Sequence, residues 1–135
     1  MIIMKILFVC AANSFRSPIA EALLKKYRPE IEVDSAAAQQ PTLISKYHRK
    51  SLLKDNALRF LKNTAESIDQ KDLKKYDLVV VMDEMNLEIV LNRYPEYRDK
   101  VVFWNIYNPS FLKEESVEKV FKQIRQKGKE LADSI

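Results

Sequence analysis

The segment Val9-Cys10-Ala11-Ala12-Asn13-Ser14-Phe15-Arg16-Ser17-Pro18 sets a cysteine, an arginine and a serine between an apolar run and a helical pattern. A loop that ends at a helix N-terminus aims free backbone N–H groups at one point and binds oxyanions. The same partial positive charge favours thiolate over thiol, so Cys10 is a candidate nucleophile. Ser17 lies close enough in sequence for its hydroxyl to donate to that sulfur. Arg16 brings a planar fork that matches two oxygens of a phosphate. The backbone of Ala11, Ala12, Asn13, Ser14, Phe15 and Arg16 would hold the remaining oxygens. The chemistry such a set can do is phosphoryl transfer, with charge stabilised by fixed donors. The alternative is a small core cysteine at a strand end and a surface arginine. The context of strand before, Ser-Pro and helix after, and no other cysteine favours the phosphate loop.

The elements around this segment are legible from periodicity. Lys5 to Val9 is a continuous apolar run and predicts a strand buried on both faces. Pro18 to Tyr27 predicts a helix, with Ser17 as its cap and Pro18 in its first turn. Ile31–Ser35, Leu78–Met82 and Val101–Trp104 predict further strands, and Ser51–Leu61, Glu84–Arg93 and Glu115–Ala132 further helices. Strands alternating with helices predict an α/β fold, a three-layer open parallel sheet with helices on both faces. Ligands in such folds sit beyond the carboxyl ends of the strands, where strand order reverses. The loop from Cys10 to Ser17 occupies such a place.

A chain of 135 residues, 47% hydrophobic and 31% charged, predicts one domain over 1–135 with a sizeable core. No apolar run reaches the ~18 residues of a membrane span. The apolar start lacks a basic lead and a cleavage site, so it reads as a buried strand rather than a signal peptide. The net charge of +4 suits an anionic substrate or an ordinary surface. The densest basic run, Lys46 to Lys50, is too short for a nucleic-acid footprint. The single cysteine excludes an internal disulfide and a cysteine-built zinc site, and it suits a reducing, cytoplasmic address. His48, the only histidine, lies inside the basic run and is expected at the surface.

The chain resembles the low-molecular-weight protein tyrosine phosphatase family. Val9-Cys10, Asn13, Arg16-Ser17-Pro18, Ala20 and Glu21 match its signature loop, Val33 to Ala36 its second strand and serine, Tyr76 to Asp83 its third strand, and Trp104 to Pro109 the approach to its acid loop. The resemblance implies a four-stranded parallel sheet, no metal and no cofactor. It implies a phosphocysteine on Cys10, a left-handed Asn13 tied to Ser35, a phosphorylated protein or small aryl phosphate as substrate, and inorganic phosphate as product. Neither nucleic acid nor membrane is an expected partner.

The departures are specific. Asn108-Pro109 stands where the family has Asp-Pro, whose aspartate protonates the leaving oxygen and then activates water. An amide does neither, so the resemblance implies a slow enzyme unless the leaving group is good or another carboxylate, such as Glu114 or Glu115, substitutes. Ala12 replaces a usual glycine, and Phe15 a frequent second cysteine. Asn63 falls near a histidine that helps to hold the loop. Phe111 is either one wall of the substrate site or a core side chain. Two other functions stay open: an arsenate reductase using an external thiol, and a phospho-ligand-binding protein without turnover.

Overall fold

β1 (Lys5–Cys10) is the centre of the molecule because its side chains Ile6 to Cys10 are apolar on both faces and all buried. The computed structural model describes residues 4–108 and 114–135. The sheet has the order β2-β1-β3-β4, with β2 (Glu32–Ala37), β3 (Leu78–Val81) and β4 (Val101–Phe103) all parallel to their neighbours. Cys10 pairs with Ala37 and Val9 with Val81, so three strands end level with the nucleophile candidate.

Alternation along β1 builds two cores. Ile6 and Phe8 face α1 (Arg16–Tyr27) and α4 (Glu114–Ser134), packing with Leu23, Leu24, Phe121 and Ile124. Leu7 and Val9 face the opposite layer with Ile68, Val79 and Val90, the last from α3 (Glu84–Arg93). Helices therefore cover both faces, and the strand order reverses between β1 and β3, at the end where Cys10 lies.

Three expectations need correction. α1 starts at Arg16 with Phe15 at its N-cap, and no side chain caps it. Ser17 is inside the first turn because its hydroxyl is committed to Cys10 and Asn13 instead. The helix expected over Ser51–Leu61 is a short α2 (Arg49–Lys54) followed by a 3-10 turn at Leu58–Phe60. Asn56, at φ 57°, breaks it by taking the left-handed conformation that asparagine tolerates. His48 is fully buried, not at the surface. It lies four residues before Leu52, on the inward face of α2.

Candidate active site

The loop after β1 leaves its donors free and most of its acceptors occupied. Among the described residues the backbone N–H groups of Ala11 through Arg16 donate to no protein group. Four carbonyls, from Cys10 to Ser14, are taken from outside by a strap, residues 38–45. Ala38, Gln39, Thr42 and Ser45 donate backbone N–H groups to the carbonyls of Cys10, Ala11, Ala12 and Ser14 at 2.9–3.1 Å. Tying the carbonyls outward leaves the amides as a concave nest for an anion.

Cys10 is free and buried at the base of this nest. Its Sγ is 3.0 Å from Ser17 Oγ. The direction of that bond follows from the groups behind it. Asn13 Oδ1 accepts from Lys62 Nζ at 2.8 Å and from the Glu66 backbone N–H at 2.9 Å. The Asn13 amide nitrogen must then point the other way, and it donates to Ser17 Oγ and to Ser35 Oγ, both at 2.9 Å. Ser17 Oγ is thus an acceptor from Asn13, and its own proton is left for the sulfur. Ser35 in turn donates to buried Glu21 at 2.6 Å, and Lys25 neutralises that carboxylate. Asn13 holds φ 52°, the conformation that turns its side chain under the loop.

Arg16 is buried and its Nη1 lies 2.8 Å from Asp83, the N-cap of α3, and 3.4 Å from the Ile106 carbonyl. Its Nε and Nη2 carry no hydrogen bond among the described residues, which leaves one edge of the fork for an anion. Burial raises the Asp83 carboxyl, but the backbone and side-chain amides of Asn86 and the Arg16 guanidinium outweigh it and hold Asp83 below the usual carboxylate range. Asp83 is therefore ionised at neutral pH. It orients Arg16 and has no proton to give.

Lys62 and Glu66 are not singled out by the sequence, and Glu21, Asp83 and His48 enter its reading without the contacts they make here. Asn63 departs from the histidine that holds the loop in the family, and its neighbour Lys62 supports Asn13 here. The i,i+4 spacing of Lys62 and Glu66 was the available signal. Lys71 joins the same cluster through Glu66 and Asp34 at 2.8 and 2.7 Å. Asn108 is exposed, two residues past the Ile106 that meets Arg16. Glu115 is exposed on α4; the side chain of Glu114, and Phe111 as a substrate wall, lie outside the described residues. No cluster of three or more metal-ligating side chains occurs among the described residues, and none of their helices is long and apolar enough to cross a membrane.

Behind the loop, the ring of Phe15 stacks on His48 at 5.5 Å with an interplanar angle of 4°. Neither His48 ring nitrogen has a hydrogen-bond partner. Burial pushes its pKa from 6.5 to about 4, and the polar backbone of Ser14 opposes this only in part. The folded state therefore binds fewer protons than the unfolded chain between these values, and stability falls as pH drops from about 6.5 toward 4. The loss is ~3 kcal/mol. His48→Phe is expected to keep the stack and flatten the curve of Tm against pH in that window. An unchanged slope in the variant would assign the effect to other groups.

A family model for low molecular weight phosphotyrosine protein phosphatases matches residues 5–135. The chain is 33% identical over 106 residues to the low molecular weight protein-tyrosine-phosphatase Wzb of Escherichia coli K12, covering 73% of this chain and 68% of that one. It is 30% identical over 103 residues to a protein-arginine-phosphatase of Bacillus subtilis, covering 73% and 68%. A solved low molecular weight protein tyrosine phosphatase from T. tengcongensis superposes with a TM-score of 0.88 at 25% identity, over 98% of this chain and 99% of that one.

Proposed function

This chain belongs to the low molecular weight phosphotyrosine protein phosphatase family, and from that premise we propose that it hydrolyses phosphotyrosine or small aryl phosphates through a phosphocysteine on Cys10. The observation that carries this reading is the nest of undonated N–H groups from Ala11 to Arg16 over the Cys10 sulfur. The Cys10 thiolate attacks phosphorus while the loop amides and the open edge of Arg16 hold the equatorial oxygens. The P–O bond breaks and the aryloxide leaves with the electron pair, taking its proton from water. Water then attacks phosphorus, its proton passes to solvent, and the P–S pair returns to Cys10. The Ser17 hydroxyl, aimed at that sulfur, stabilises the returning thiolate. Inorganic phosphate is the product.

Asn108 bears on substrate choice. Without a proton donor, departure depends on the leaving group itself. A phenol ionises near pH ~10, whereas arginine keeps its proton above ~12. That difference favours phosphotyrosine over phosphoarginine here. Asn108 also favours a second reading, a phosphotyrosine-binding protein without turnover. The reduced, lone thiol suits a reducing compartment such as the cytoplasm.

The test is hydrolysis of p-nitrophenyl phosphate, whose leaving group needs no proton, followed by acid quench and mass analysis of the Cys10 peptide. Phosphate release with a phosphorylated Cys10 supports the phosphatase. Binding of phosphate with neither product would leave the binding role.

A further inference from the structure

Between Asp34 and Asp55 the chain has no acidic residue, and this stretch and its continuation carry Lys46, Arg49, Lys50, Lys54 and Arg59, all exposed. None of these five cations forms an ion pair among the described residues. Asp55 is engaged by Arg125 instead, and Glu118 of α4 accepts from Ser51. A face of unpaired cations raises the local concentration of anionic groups.

Its position relates it to the phosphate nest. The strap that leads into α2 is bonded to the loop through Ser45 N–H and the Ser14 carbonyl, and Ser14 Oγ donates to the Leu43 carbonyl at 2.6 Å. Buried His48 stacks on Phe15 from the inward side of α2 while Lys50 and Lys54, one turn apart, face outward. The cationic face therefore begins at the rim of the nest. Three residues of extended chain reach ~10 Å, so flanks of a phosphorylated residue seated on Arg16 would lie along it.

We propose that this face binds acidic residues flanking the phosphorylated residue of a peptide substrate. The inference rests on the phosphatase reading for the seat of the phosphate, and it names the class of protein segment that seat receives. The phosphate and its flanks are one molecule, so each contact raises the effective concentration for the other. Leu43 and Tyr47 are also exposed at the rim, and cations beside apolar side chains suit an anionic membrane as well. Against that, membrane binding scales with buried apolar area, and the six residues of α2 expose only Leu53 as an apolar side chain.

The experiment uses Cys10→Ser protein, which cannot turn over, and two labelled phosphotyrosine peptides with acidic or neutral flanks, read by fluorescence anisotropy. The acidic-flank peptide is expected to bind about tenfold tighter, an advantage lost in the K46E/K50E/K54E triple variant and at high salt. The neutral-flank peptide should bind both proteins alike. Equal affinity of the two peptides for the unreversed protein overturns the proposal. So does charge-dependent sedimentation with phosphatidylserine vesicles combined with no flank preference, which would make the face a membrane contact. A triple variant that also loses the neutral peptide has lost its fold, and the flank preference and salt dependence of the unreversed protein then decide. Hydrolysis of p-nitrophenyl phosphate by the chain with Cys10 intact is scored separately. A flank preference without that turnover would keep the surface and reject the phosphatase.

Discussion

Asn108→Asp is expected to raise kcat on phenyl phosphate and on phosphotyrosine by about 10² to 10⁴, the usual contribution of a positioned acid–base group. The gain on p-nitrophenyl phosphate should be far smaller, because nitrophenolate leaves without a proton. The cause is local. Asn108 follows the segment in which Trp104 and Ile106 extend the β4 ladder by donating to the carbonyls of Val81 and Met82. That ladder sets the Ile106 carbonyl 3.4 Å from Arg16, with exposed Asn108 two residues on, and its amide can neither protonate an oxygen nor take a proton from water. Asp83 does not compensate, since Asn86 and Arg16 keep it ionised. A series of aryl phosphates gives the cleanest measure. Wild type should show a steep fall of log kcat with leaving-group basicity, and the variant a shallow one. Parallel lines would mean that the proton is supplied from elsewhere.

Lys62→Met is expected to cut kcat/KM on p-nitrophenyl phosphate by up to about 10², the scale seen when a group distant from the chemistry shifts a reacting atom by about an ångström. Lys62 is nearly buried and donates to Asn13 Oδ1, the Ser35 carbonyl and Glu66. Without it the Asn13 side chain loses one of the two donors that fix its orientation. The Asn13 amide then no longer holds Ser17 Oγ with its proton toward Cys10. Loss of these bonds should also lower unfolding free energy by ~1–3 kcal/mol. Lys71→Met separates the two effects. Lys71 touches Asp34 and Glu66 but not Asn13, so it should reduce stability with little change in rate. Alkylation of Cys10 by iodoacetamide at fixed pH should slow in the Lys62 variant only. Equal slowing in both would assign the effect to general loosening of the cluster.

How much of this was legible in the sequence differs by element. β1, β3 and α3 were plain, because apolar runs and a 3.6-residue period dominate their local physics. The nucleophile loop was plain as well, since a strand, a cysteine, an arginine and a helix start are contiguous. The supports were not. Lys62, Glu66 and Asp83 reach the loop from segments far along the chain, and the i,i+4 spacing of Lys62 and Glu66 says nothing of what they would hold. The basic neighbours of His48 point to the surface, although its spacing from Leu52 puts it inward. The helix expected through Leu61 failed at Asn56, where a left-handed residue outweighed good helix formers on either side.

The strap carries an implication for how such a chain diverges over generations. All four bonds that the strap makes to the carbonyls of the loop come from its main chain, at Ala38, Gln39, Thr42 and Ser45. Exposed side chains along it, such as Thr42 and Leu43, are therefore free to drift while the nest stays held, and a lineage can try new rims without relearning its chemistry. Proline is the exception, because it has no N–H to give. The strap's own proline, Pro41, stands at a position where no such donor is required.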